Sequence, residues 1–193
     1  KDDMEAWLGT QRERAKPHVT TSVDLRHSGL RLAPVDTNLY PAGFNNLSAN
    51  AQRRAVNYFT AYFAEHFPHA RRVLIIPENH TRNLAYLDNV LMLQSLLARA
   101  GLEARIGSLS AAGEPLRLTT TSGAVCIQEP LQRVHHRLIT LEGFTPDVLL
   151  ANNDFSAGPS PLLQNIIQPM VPPMGMGWFQ RRKSVHFTLY RGL

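Results

Sequence analysis

Four groups of polar residues have the types and spacing to bind a small charged molecule. The first is Asp36-Thr-Asn38 with Asn45-Asn46, in a stretch punctuated by Pro34, Pro41 and Gly43. Amide oxygens and a carboxylate accept from an ammonium, while amide NH2 groups donate to a carboxylate, so this set could read an amino-acid head. The same residues also form turns by bonding their own backbone. The second group, Glu78-Asn-His-Thr-Arg-Asn83, follows a short apolar run and opens a helical pattern. Unpaired N–H groups and the positive end of the helix dipole favour an anion there. Arg82 could pair with a carboxylate or phosphate and His80 could donate. Alternatively, Thr81 or Asn79 caps the helix and Arg82 is solvated.

The third group, Asn152-Asn153-Asp154 with Ser156 and Gly158, begins where another apolar run ends. A carboxylate beyond a strand end accepts an ammonium, holds a metal ion, orients an arginine or closes an Asx turn. The fourth is Arg181-Arg-Lys-Ser184 with His186, preceded by Gly175-Met-Gly-Trp178. Adjacent cations repel and splay into solvent, but the neighbouring glycines, hydroxyl and imidazole favour an anion site. In a helix Arg182 and His186 would share a face. Phosphate-loop, dinucleotide, nucleophile-elbow and His-Glu-x-x-His motifs are all absent. Cys126 sits in an apolar run and reads as a small core residue, and His135-His136 would point to opposite faces of a strand.

These groups need elements to position them. Val73 to Ile76 and Asp147 to Leu150 read as strands buried on both faces, so the third group stands at the carboxyl end of one of them. Leu84, Leu87, Val90, Leu91, Leu97 and Ala98 make the clearest helical stripe, stopped by Gly101, and Glu103 to Leu109 follows as a strand. Residues 73 to 109 thus have the length of a parallel crossover. Charges alternate over residues 4 to 15 as in a short amphipathic helix, and Ser48 caps a second helix through about His66. Val19 to Leu25 and Leu30 to Val35 read as paired strands, 34 to 47 as a loop, and 116 to 120 with 124 to 128 as a hairpin. His135 to Leu141 adds a strand. Ser160-Pro161 predicts a helix to about Gln168, and 170 to 177 a mobile connection.

Composition bounds the function. With 44% hydrophobic and 18% charged residues the chain is globular, and it holds no apolar run of membrane-spanning length. Of the 20 basic residues all but Lys1, Lys16 and Lys183 are arginine, which suits bidentate recognition of carboxylate or phosphate. The arginine pairs are scattered without aromatic interleaving, which argues against nucleic acid. A lone cysteine excludes an internal disulfide and fits a cytoplasmic setting. A start at Lys-Asp-Asp, with no initiator Met, is expected of a piece of a longer polypeptide.

Several segments resemble a proteobacterial family of glutamate–cysteine ligases. They are Val23-Asp-Leu-Arg-His-Ser28, the stretch from Pro34 to Leu47, Ile76-Pro-Glu-Asn-His-Thr-Arg-Asn83, Leu150-Ala-Asn-Asn-Asp154 and Gly177-Trp-Phe-Gln-Arg-Arg-Lys-Ser-Val-His-Phe187. The resemblance implies the amino-terminal half of an enzyme about twice this length, whose other half is an ATP-grasp module binding ATP and Mg2+. It implies a Rossmann-like α/β domain over residues 1 to 193, an open mixed sheet with flanking helices, in which 170 to 193 could begin the following region. The implied reaction activates the γ-carboxylate of L-glutamate as an acyl phosphate, from which the amine of L-cysteine displaces phosphate. Residue chemistry and position, rather than the resemblance, give the substrate-binding residues expected for such an enzyme: Arg26, Asp36, Asn38, Asn45, Asn46, Glu78, His80, Arg82, Asn83, Asn153, Asp154, Arg181, Lys183, Ser184 and His186. No catalytic residue or metal ligand is assigned. The expected partners are L-glutamate, L-cysteine and ATP, without nucleic acid or membrane, and a homo-oligomer stays open. The competing readings are a noncatalytic ligand-binding α/β domain and a basic RNA-contacting module.

Overall fold

The structure, a computed structural model, describes residues 2–14, 18–79, 83–180, 184–185 and 188. Its centre is a pair of short parallel strands, β3 (Arg72–Pro77) and β8 (Val148–Asn152), in register from Val73 opposite Val148 to Pro77 opposite Asn152. The sheet order is β5-β6-β4-β3-β8-β9. Here β4 is Glu103–Ser108, β5 Leu116–Thr119, β6 Val125–Val134 and β9 Met170–Val171. β4, β8 and β9 run parallel to their neighbours toward β3, while β5 pairs antiparallel with β6. β7 (Arg137–Thr140) also pairs antiparallel with β6. A separate two-stranded sheet joins β1 (Ser22–His27) to β2 (Leu32–Asn38).

The pleat splits the apolar strands between two cores. Val73, Ile75, Val148 and Leu150 face one way and meet α2 (Ala49–His66) and α3 (Leu84–Arg99) through Phe59, Phe63, Leu87, Val90, Leu93 and Leu97. Leu74, Ile76, Leu149 and Ala151 face the other way, against Leu39, Tyr40, Phe144, Phe155 and Leu163. Among the described residues, helices thus cover one face of the central strands and irregular segments the other. The helix α2 starts as its sequence predicts, with Ser48 Oγ accepting from Ala51 N at 3.3 Å, whereas α3 is capped by Asn83, whose Oδ1 accepts from Tyr86 N at 3.1 Å, and not by either residue the sequence offered for that role. Gly101, with φ +88°, ends α3 in the left-handed region. The first helix, α1, spans Asp2–Arg14.

Four expectations change. β2 runs on to Asn38, so Asp36 and Asn38 lie in a strand rather than a loop; the register shift between Asp24 and Leu25 absorbs Val35 beside Pro34, which has no N–H to give the ladder. The segment after Ser160 is one 3-10 turn, Pro161–Leu163, not a helix to Gln168. Arg133 Nη1 donates to Pro161 O and Gln164 O at 3.2 and 2.7 Å, and Ile167 N donates to His136 O at 2.9 Å, so groups a helix would need are already engaged. Met170–Val171 forms the strand next to β8 instead of a mobile connection. His135 and His136 make the two-residue turn between β6 and β7 rather than a stretch of strand.

Candidate functional site

The chain leaves β3 toward β4 on one side and returns to β8 on the other, so the connections diverge above the carboxyl ends of β3 and β8. An open parallel sheet leaves a crevice at such a point. Here it is a cavity of about 430 Å3, lined from β3 by Glu78 and Asn79, from β8 by Asn153 through Ser160, and from β4 by Leu109. The start of the second polar group, Glu78-Asn79, and the third group from Asn153 onward therefore meet in one cleft. A cavity of about 490 Å3 beside α2 is mostly apolar, lined by Pro41, Phe44, Leu47 and Phe59 among others. Another, of about 540 Å3, surrounds Arg105, whose guanidinium already pairs with Glu103, Glu129 and Glu142. The switch-point cleft combines strand-end placement with several converging polar groups, which makes it the candidate site.

Local bonding fixes its walls. Asn153 Nδ2 donates to Pro77 O at 3.0 Å and its Oδ1 accepts from Phe155 N at 2.8 Å. Asp154 Oδ1 accepts from Ser156 N at 2.8 Å. Behind Asp154, Trp178 N donates to its carbonyl at 2.7 Å, and a Cβ on Gly177 would fall 2.8 Å from that same oxygen, so only glycine allows this approach. Glu78 N donates to the Tyr86 hydroxyl at 3.0 Å, and that hydroxyl lies 2.6 and 2.9 Å from Asn152 O and Oδ1. Burial pushes the Tyr86 phenol well above its ordinary range, so it stays neutral and donates.

Beneath the cleft Asn152 Oδ1 accepts from Asn89 Nδ2 at 3.1 Å, and Asn152 Nδ2 donates to Pro41 O at 2.9 Å. Asn89 Oδ1 accepts from Phe44 N at 2.9 Å. Two buried asparagines thus clasp residues 41–44 to the end of β8. Tyr86 and Asn89 were not among the expected site residues. Their signal was a polar residue interrupting the apolar stripe of α3, with a tyrosine one turn before it.

The expected residues fall into distinct places. Glu78, Asn153 and Asp154 line the cleft. Asn83 caps α3, and Asn38 bonds the backbone of Tyr40 in both directions, at 2.9 and 3.3 Å. Asp36 is half-buried on β2, and Arg26 is exposed on β1. Asn45 and Asn46 are exposed on the 3-10 turn Phe44–Asn46. Ser184 is exposed. His80, Arg82, Arg181, Lys183 and His186 lie outside the described residues. Among the described residues no arginine lines the cleft, and no three of His, Cys, Asp and Glu gather as a metal site would require. Cys126 is buried and burial raises its thiol, as befits a core residue. No described helix is long and apolar enough to cross a membrane.

The family described as glutamate-cysteine ligase matches residues 1–193. The crystal structure of a proposed γ-glutamylcysteine synthetase from Methylobacillus flagellatus KT is similar at TM-score 0.90 and 42% identity. That match covers 99% of this chain and 45% of the other, so the chain spans less than half the length of that protein. A search of curated proteins finds no match.

Proposed function

The chain belongs to the glutamate-cysteine ligase family, and from that premise we propose that it is the substrate-binding part of an enzyme that joins L-glutamate, through its γ-carboxylate, to the amine of L-cysteine at the expense of ATP. The observation that carries the reading is the polar cleft over β3 and β8, where an open parallel sheet binds its ligand. Its described lining is rich in acceptors. The carboxylates of Glu78 and Asp154 suit an amino-acid ammonium, with Asn79, Ser156 and Ser160 adding donors and acceptors for the rest of the head. In this reading the chain binds and orients an amino acid. Asn152, Asn89 and Tyr86 hold the cleft's floor in place and do not touch the substrate.

The described residues do not fit a site for Mg2+ and nucleotide, since they gather no metal-ligating cluster and the sequence has no glycine-rich phosphate motif. We assign that role to the part of the family polypeptide beyond this chain. Cytoplasmic location belongs to the same proposal.

The test uses the full-length protein. ADP release should require both glutamate and cysteine, and Glu78→Gln and Asp154→Asn should each lower kcat/KM for one amino acid by about tenfold or more at unchanged Tm. If both variants stay within about twofold of the parent, the cleft is not the amino-acid site. ADP release indifferent to either amino acid would instead favour a ligand-binding domain without ligase chemistry.

A further inference from the structure

The hairpin of β1 and β2 stands out from the domain. Its base is fixed: Val19 is buried before β1, Leu39 and Tyr40 are buried after β2, and Thr20 Oγ1 donates to Leu39 O at 2.9 Å. Beyond that base the two strands pack on each other and make only glancing contact with the other described helices and strands. The register sets Val23 opposite Thr37, Leu25 opposite Pro34 and His27 opposite Leu32, and cross-strand partners share a face. Apolar side chains therefore gather on one face, while Asp24, Arg26, Ala33 and Asp36 take the other. Val23 is 48% exposed, Leu25 56%, Leu32 63%, and Leu30 in the turn 99%. A two-stranded hairpin is marginal in water by itself, and a helix or further strand across the apolar face is what makes such a unit stable.

We propose that this apolar face is the docking surface for the remainder of the family polypeptide, which meets it with an apolar strip bordered by acidic side chains at the hairpin tip. Two observations select that occupant over a second copy of this chain. More than half of the similar synthetase structure lies outside the part this chain matches, so a polypeptide of that length holds further chain that could supply a cover. Charge is also sorted along the hairpin: Arg26 and Arg31 lie toward the tip, Asp24 and Asp36 toward the base. The chain carries a net charge of +5, so a second copy approaches with like charge, whereas an acidic border is attracted to the tip. The inference rests on family membership and not on the amino-acid site, and its test is structural, so either can fail without the other.

Cysteine is placed on each face of the hairpin in the full-length protein, as Leu25→Cys and Leu32→Cys on the apolar face and Ala33→Cys on the opposite one. Maleimide modification is followed by peptide mass spectrometry. Positions 25 and 32 should react at least about tenfold more slowly than position 33, and that ratio should survive about a hundredfold dilution. Equal rates on the two faces overturn the proposal. Protection lost on dilution, together with a falling sedimentation coefficient, gives the face to a second copy and overturns it as well. Should a variant not fold, amide hydrogen exchange of the unsubstituted full-length protein serves: slow exchange in residues 22–38 at both concentrations supports docking, and exchange at unprotected rates refutes it.

Discussion

Asn152 holds the NH2 end of Asn89, the hydroxyl of Tyr86 and the carbonyl of Pro41 with one amide, and it is buried. Truncation to alanine strands the Asn89 amide and the Pro41 carbonyl away from water. Unsatisfied buried groups cost about 1–3 kcal/mol each, so Asn152→Ala should destabilise by about 2–4 kcal/mol. Asn152→Asp should cost at least as much, because it places a charge where only neutral donors and a neutral phenol await it. Both values come from urea midpoints; an Asn152→Ala loss below about 0.5 kcal/mol would mean water replaces the amide. The sequence showed polar residues at the end of a strand but not their division of labour. The pleat supplies it: Asn152 lies two residues past Leu150 and therefore faces α3, where Asn89 and Tyr86 sit, while Asn153 and Asp154 line the cleft. Asn89 stayed hidden because a single polar residue in an apolar stripe has no partner visible in the local sequence.

The central strands are joined at their starts as firmly as at their ends. Asp147 Oδ2 accepts from Arg71 N and Arg72 N, each at 2.9 Å, and Asp147 N donates to Arg72 O at 2.8 Å. Partial burial pushes this carboxyl up, but the two N–H groups and the Arg72 guanidinium outweigh it and hold it below its ordinary range. A carboxyl with a lowered folded-state value stabilises above the unfolded value of about 3.9 and loses that contribution as pH falls through the folded value. Asp147→Asn should therefore be less stable than the parent near neutrality, and the gap should close below about pH 4. Urea titrations from neutral to acid pH check this, and a constant gap would show that geometry rather than charge is responsible. Strand pairs of this kind were legible because Val73 to Ile76 and Val148 to Leu150 are unbroken apolar runs. The segment after Ser160 was not. Its cap forms as expected, with Ser160 Oγ accepting from Leu162 N at 3.3 Å, but Arg133 and His136, both distant in sequence, engage the backbone a longer helix would use.

At the scale of the whole molecule, one sheet separates two cores with different duties. The face with Leu150 packs on α2 and α3, whose regular backbones cannot close in on a void; the face with Leu149 packs on Phe155, Leu163 and other residues of irregular segments. Residues 153–160, the cleft's own wall, belong to that second side, and Phe155 anchors them next to Asp154. Both leucines are almost fully buried, so removing either side chain deletes the same volume. A site that collapses loses less stability, and Leu→Ala costs range over about 2–5 kcal/mol according to that collapse. Leu150→Ala should therefore fall near the upper end of the range and Leu149→Ala near the lower. Activity should follow the opposite order, since relaxation around Leu149 is taken up by the loop that carries Asp154, while a void beneath α3 leaves that loop in place. Denaturant midpoints and kcat/KM of the two variants in the full-length protein decide the matter. Activity losses that simply track the losses in stability would show that the two cores are mechanically one, and that the cleft draws its shape from the domain as a whole rather than from the irregular face.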